Sequence, residues 1–475
     1  MSDTPLEATT EGSTAVSFWQ VVVSAIRGEH RDYTTETLNR AVILLAIPMV
    51  LEMVMESIFA LADVFWVSHL GSDAVAVVGI TESMMYIVYA VAVGLSMAGT
   101  AIVARRIGEK DPDRAASAAV QLIVLALCIS AAIGIFGGLF ARDILRLMGG
   151  NDHVVEIGTT FTTIMLGGNA TAILIFVINA IFRGAGDAAI AMRTLWFANA
   201  INILLGPCLV FGLGPFPKLG VTGAAVATTI GRGCGVLFQL WLLVGRDSRV
   251  RIRLRHFHFE LDALGQMLRL AANGTLQNLV STASWIGLVR IISQSGSAAL
   301  AGYTIAMRVV IFAILPAWGL SNAGATLVGQ NLGAAKPERA ESAAWIAVRY
   351  NVFFLGAIGV LFILFAGTIA GFFAADPRTL AYGAQAIWII GLGFPFYAVG
   401  MCLTSAFNGA GDAWTPTWLN FGCLWLLAIP LAWLLADYCN AGATGVFIAI
   451  PIAFSTLAIA SALVFRKGRW KLQRV

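Results

Sequence analysis

Charge is what this chain has least of. Asp, Glu, Lys and Arg make up 12% of its 475 residues, against about 25% in an ordinary soluble domain, which excludes a solvated globular surface over most of its length. Histidine is scarce too: His30, His69, His153, His256 and His258 all fall in the amino-terminal tail or between apolar stretches. Without a His pair, a His-Glu-x-x-His helix or a Cys/His couple in an apolar stretch, the reagents of an intramembrane enzyme are missing, and no catalytic or metal site is expected. None of the five lysines follows a glycine, so the phosphate-binding loop of an ATPase is absent. The six cysteines are scattered, Cys439 alone in a predicted outer loop, with no metal or redox spacing; disulfides are not expected. The first 40 residues carry neither the basic start nor the cleavage site of a signal peptide. Within them Phe18 to Ile26 is apolar but too short to cross a bilayer, and reads as an interfacial helix or a tail. The net charge of +4 calls for no acidic partner or nucleic acid.

What is present is apolar surface, at 59% of residues. Stretches of about 20 residues, the length that spans a hydrocarbon core of about 30 Å, occur six times in each half. They lie near 41–66, 74–104, 115–140, 155–182, 192–212 and 220–245, then near 270–294, 298–328, 341–366, 380–406, 416–436 and 442–465. With both termini in the cytoplasm, 23 Lys and Arg lie on the inner side and 4 on the outer, while Arg232, Arg290 and Arg308 fall inside spans. Such an excess sets orientation. Arg183 and Arg193 are counted with the inner rim, and His256 and His258 with a solvated, lipid-facing basic loop.

The halves are copies. Gly71-Ser-Asp-Ala-Val-Ala-Val-Val-Gly-Ile80 recurs as Gly296-Ser-Ala-Ala-Leu-Ala-Gly-Tyr-Thr-Ile305, and Ala104-Arg-Arg-Ile-Gly as Gly329-Gln-Asn-Leu-Gly. Gly184-Ala-Gly-Asp-Ala188 returns unchanged as Gly409-Ala-Gly-Asp-Ala413. All three pairs share one offset of 225 residues. Even-numbered halves enter the membrane from the same side, so the expected fold is all-α, twelve transmembrane helices in two parallel-repeat six-helix bundles, as in transporters. The domain reading is a tail (1–40), a first lobe (41–246), a basic connecting loop (247–268), a second lobe (269–466) and a short tail (467–475). The Gly-Ala-Gly-Asp segments stand between spans, not in a strand–helix unit. They read as tight turns: Gly184, Gly186, Gly409 and Gly411 supply backbone freedom, and Asp187 and Asp412 accept backbone bonds.

Ionisable groups inside spans are expensive to bury and mark function. Glu52, Glu56 and Asp63 lie on the first span. At 100° per residue Glu52 and Asp63 differ by three turns plus about 20°, with Glu56 one turn beyond Glu52, so all three share a face. Glu82 is the acid of the second span, near its outer end. The second lobe has no acid in a span, so ion coupling is expected in the first. Asp63, with no cation adjacent on its helix, is the expected proton site, because desolvation penalises the carboxylate and favours its neutral form. Glu52 or Glu56 could instead pair with Arg308 or another buried cation. Met53, Met84 and Met85 with Phe59, Tyr86 and Arg308 are the expected lining of an adaptable cavity for amphipathic ligands.

Leu61-Ala-Asp63-Val-Phe-Trp66-Val-Ser-His-Leu70-Gly71 resembles the end of the first span in the multidrug and toxic compound extrusion (MATE) family. Twelve spans, the duplicated halves and the paired turns resemble that family over about 41–465. The resemblance implies a V-shaped pair of bundles, alternating access and export of amphipathic or cationic compounds from the cytoplasmic membrane by a monomer, against protons or sodium. It also implies an ion site of Asp63, Asn179 and Asn202. The family's fifth span reads Asn-x-x-x-Asp-Pro; here it is Asn202-Ile-Leu-Leu-Gly206-Pro207. Gly206 in place of a second carboxylate, and no second-lobe acids, favour protons over sodium. A lipid-linked oligosaccharide flippase of the wider superfamily is the rival reading, for which Arg290 and Arg308 would bind phosphate.

Overall fold

The computed structural model describes residues 18–29, 31–245, 248–257, 260–374 and 376–473, which are helical with no strand. Residues 1–17 of the tail, His30 and His258 lie outside the described residues. A short α1 (Phe18–Arg27) leads into the first lobe: α2 (Leu38–Ser68), α3 (Ser72–Gly108), α4 (Pro112–Leu139), a brief α5 (Ala141–Leu147), then α6 (Asp152–Gly167) and α7 (Asn169–Ala185), which together make the fourth span, α8 (Ala188–Phe211) and α9 (Val221–Val244). The second lobe repeats the order with α10 (Leu261–Ser293), α11 (Ser297–Gly333), α12 (Pro337–Gly371), and a fourth span bent by 57° between α13 (Pro377–Leu392) and α14 (Phe394–Gly409). Its fifth span, Trp414–Tyr438, runs through α15 (Trp414–Asn420), a π-helical segment (Phe421–Ala428), α16 (Ile429–Trp433) and a second π-helical segment (Leu434–Tyr438) before α17 (Gly442–Arg466).

Ten of these helices are long and apolar enough to cross a membrane, and the bent pair makes an eleventh. The twelfth expected span is α10, which has the length, 33 residues. Its apolarity is diluted by Gln277, Asn278, Ser281 and Thr282, which line interior cavities. Polar residues turned inward cost a helix hydropathy without exposing them to lipid.

The repeat is visible in the backbone. Gly71 and Gly296, which precede α3 and α11, have φ of 98° and 103°, and Gly186 and Gly411 have 88° and 87°. Even the non-glycine pair Lys110 and Ala335 shares a left-handed φ, 59° and 57°. Positive φ at Gly186 and Gly411 turns the chain sharply after α7 and α14, as the Gly-Ala-Gly-Asp reading requires. Asp412 accepts from Thr415 N at 3.1 Å and its hydroxyl at 2.6 Å, and Asp187 from Arg249 N at 3.4 Å.

The lobes meet through α2 and α3, which pack on α10, α11 and α12. Small residues allow it: a Cβ on Gly94 of α3 would lie 2.4 Å from the Ala271 carbonyl of α10, and Gly274 answers from the other side. Close backbone approach is how helices associate without a hydrophobic driving force. At the turn-bearing end Gln330 of α11 donates to Gly184 O at 2.9 Å. The α2 helix belongs to both lobes: Leu45 and Met49 pack with Leu320, Phe407 and Phe465 of the second, while Val67 packs with Val77 and Phe161 of the first.

Of the two readings of Phe18 to Ile26, the segment takes the helical one, and the last carbonyls of that helix, Ile26 O and Arg27 O, accept from Arg193 at 2.7 and 3.0 Å. The basic loop is not simply solvated. His256 is buried with Nε2 3.1 Å from Asp113 Oδ1, and Arg249 pairs with Asp187 at 3.2 Å.

Candidate functional site

The three acids of α2 divide between two sites. Glu52, only 1% exposed, pairs with Arg183 of α7 at 2.9 Å. One turn earlier on α7, Asn179 donates to the same Glu52 oxygen at 3.0 Å, and Gln239 of α9 donates to Asn179 Oδ1 at 2.5 Å. Arg183 therefore does not belong to the solvated inner rim; it is buried at 7% exposure. A carboxylate this deep needs a counter-charge, and Arg183, not Arg308, supplies it.

Glu56 and Asp63 face a second site, a cavity of about 320 Å³ that also receives Glu82 of α3 and Arg232 of α9. The Arg232 guanidinium lies over the rings of Phe59 and Tyr89, 5.7 and 5.5 Å from their centroids, and donates to the Tyr89 hydroxyl at 3.0 Å. It is thus held by aromatic faces; among the described residues no carboxylate forms an ion pair with it. Glu56 accepts from Asn199 of α8 at 3.1 Å. Asp63 and Glu82 have no side-chain hydrogen bond among the described residues. The three acids line one cavity without converging into a metal-binding group. The helix carrying Asp63 has no adjacent cation, but the fold brings Arg232 to the same cavity.

Among the described residues no hydrogen bond links Asp63, Asn179 and Asn202 to one another. Asn179 serves Glu52, and Asn202 donates to Thr228 Oγ1 at 2.8 Å, Thr228 in turn lining the Asp63 cavity. At Gly206 an added Cβ would meet nothing nearer than Trp66 at 3.6 Å, so the missing family carboxylate leaves a site with room for one.

Between the lobes lies a further cavity of about 330 Å³, mostly apolar, to which Met53 and Tyr86 contribute with Met97, Phe176 and Trp318. Phe59 and Tyr86 line the carboxylate cavity. Met85 instead packs inside the first-lobe core at 1% exposure, with Met84 against the same cluster. Arg308 is exposed and lines neither cavity. Residues that the sequence reading did not select are Arg183, Arg232, Tyr89, Asn199 and Gln239. Arg232 was open to discovery, because a lone arginine mid-span is as costly as an acid.

A family model described as MatE matches residues 48–208 and 275–434, once in each half. The chain is 26% identical to the probable multidrug resistance protein NorM of Thermotoga maritima, over 92% of this chain and 94% of that protein. It is 25% identical to the FAD transporter of Shewanella oneidensis, over 85% and 88%. A solved outward-facing conformation of a multidrug resistance MATE transporter superposes with a TM-score of 0.86 at 27% identity, covering 92% of this chain and 96% of that one. With both halves matched, the polytopic helical fold shared end to end, and buried charges lining cavities where an enzyme would hold reagents, the chain belongs to the MatE family and is a multi-pass membrane transporter.

Proposed function

We propose that the protein exports amphipathic organic compounds, cations among them, across the cell membrane in exchange for protons, with exchange centred on the first lobe. The observation that carries this reading is the cavity of Glu56, Asp63 and Glu82 around Arg232. One arginine offsets one of three carboxylates, so the fully ionised cavity attracts a cation. A proton on Asp63 or Glu82 halves that net charge and weakens the attraction. Protons and cationic cargo then compete for the same groups, and competition at one site is the thermodynamic core of antiport. The α2 helix would transmit the change, since it carries Asp63 in one lobe and packs Met49 in the other.

The energetics limit what one proton can do. A charge crossing 100 mV releases about 2.3 kcal/mol, enough for roughly fifty-fold accumulation of a neutral compound at about 1.4 kcal/mol per decade. A monovalent cation leaving against one proton moves no net charge, so its export draws on the pH gradient alone. Cytoplasmic termini and action as a monomer complete the proposal. Equilibrium binding of a fluorescent organic cation to the purified protein tests it. Affinity should fall on acidification, and Asp63→Asn should weaken binding and flatten the pH dependence. Unchanged, pH-dependent binding in Asp63→Asn would remove Asp63 from the exchange site.

A further inference from the structure

The second lobe contains a cavity of about 210 Å³ whose lining includes no charged residue. It is the counterpart of the charged region of the first. At the repeat offset, Gln277 stands where Glu52 does and Asn408 where Arg183 does. The first pair is closed at 2.9 Å. The second is open: Gln277 and Asn408 are buried, 5% and 8% exposed, and among the described residues the amide oxygen of each has no hydrogen-bond partner. Buried polar groups are rarely left unpaired, and an orphan acceptor marks an absent donor. Trp285 and Trp318 supply flat apolar walls. Asn420, also in the lining, stands at the start of a π-helical segment, where the first lobe has the uninterrupted α8. Such widened turns cluster at functional sites. Met97, Asn278, Trp318 and Asn408 line both this cavity and the one between the lobes, so the two adjoin.

We propose that this cavity is a second, charge-independent binding site for uncharged planar heteroaromatic compounds with an imide or amide edge. The orphan oxygens of Gln277 and Asn408 accept from ring N–H groups, the amide nitrogens of the same side chains donate to ring carbonyls, and the tryptophans stack on the ring faces. A cation finds no counter-charge here. The site does not rest on the proton-exchange reading, since its contacts involve none of the first-lobe acids.

Lumiflavin, neutral, tricyclic and fluorescent, is a suitable probe for the full-length protein in lipid nanodiscs, read by quenching against tryptophan at equilibrium without any gradient. Quenching should saturate, with the same affinity near about pH 5.5 and about pH 8, because no group of the lining titrates there. Gln277→Met and Asn408→Leu should each weaken binding on the order of tenfold, the scale of one unmade buried hydrogen bond. N3-methyl-lumiflavin, which has lost the imide donor, should bind the unaltered protein more weakly by a similar factor, a comparison that stands even where a variant fails to fold. Equal binding of lumiflavin and its N3-methyl derivative, or no saturable quenching, overturns the proposal. A failure of proton exchange would appear in gradient-driven transport and leave this binding untouched.

Discussion

In the first lobe Glu52 and Arg183 meet in a buried ion pair; at the same positions of the second lobe, Gln277 and Asn408 face an uncharged cavity and remain apart. The contrast continues around the site. Glu56, Asp63, Glu82 and Arg232 correspond at the repeat offset to Ser281, Leu288, Met307 and Leu457. The backbones, by contrast, still agree closely in φ at Gly71 and Gly296, Lys110 and Ala335, and Gly186 and Gly411. Turn geometry is dictated locally, by glycine and by sterics, and tolerates little change. A cavity lining is free to change provided each buried charge keeps or loses its partner together. One lobe carries buried charges, and the other offers amides and aromatic rings.

The largest expected effect comes from making the first lobe half like the second. Arg183→Asn leaves Glu52 buried without a counter-charge and should cost about 3–5 kcal/mol, the range for breaking a buried pair from one side. Adding Glu52→Gln completes the copy of the neutral pair and should recover most of the loss. Thermal unfolding followed by tryptophan fluorescence measures both, and a double variant no better than the single would contradict the equivalence of the two sites. The next contrast is steric. A Cβ on Gly409 would lie 2.2 Å from the Ala325 carbonyl, whereas on Gly184 it would lie 3.0 Å from the equivalent Thr100 carbonyl. Gly409→Ala should therefore destabilise by about 1–3 kcal/mol, as overpacking does, and Gly184→Ala by less; the reverse order would deny the tighter fit of the second lobe.

How far the sequence disclosed these lobes depends on the kind of information. Spans, repeat and turns were legible because each is local: apolar length, a shared offset, and glycine at a left-handed turn. A helix, α10, also stands where the repeat calls for the seventh span, although it is less apolar than the others. The site was legible only in part. Helical arithmetic put Glu52, Glu56 and Asp63 on one side of α2, yet α7 and α9 decide which cation each acid meets, and no periodicity within α2 carries that information. Met85 was misread for a similar reason, because methionine serves cores and cavities alike, and its burial depends on the helices that gather in the first-lobe core. His256 looked solvated among basic neighbours until the fold brought Asp113 beneath it.

Two smaller effects sharpen the comparison further. Gly206→Asp restores the carboxylate that the family pattern has beside Pro207, in a spot where the added Cβ is unobstructed. It should create a sodium site, raising the thermal midpoint by a few degrees at sodium concentrations well above its dissociation constant, with no such shift in the unaltered protein. The smallest effect concerns two helix caps. Asn151 caps α6 through Val154 N at 2.8 Å, and its repeat partner Asp376 caps α13 through Thr379 N at 2.8 Å. Bonds from Thr379 hold the Asp376 carboxyl below the ordinary Asp range. Its contribution is therefore complete above the unfolded-state pKa and lost as pH falls through the lowered one, while the amide cap of α6 does not titrate. Hydrogen exchange on acidification should loosen the Thr379 amide and spare that of Val154; equal loosening would deny the difference.

The central claim, that protons exchange in the first lobe, is most directly tested by dye transport in proteoliposomes with a pH gradient and a sodium gradient imposed separately. Asp63→Asn keeps the side chain's shape and can never become an anion. The unaltered protein should respond to the pH gradient and ignore sodium, and Asp63→Asn should respond to neither while remaining folded. Proton-driven transport by Asp63→Asn, or transport by the unaltered protein on a sodium gradient alone, would contradict the account.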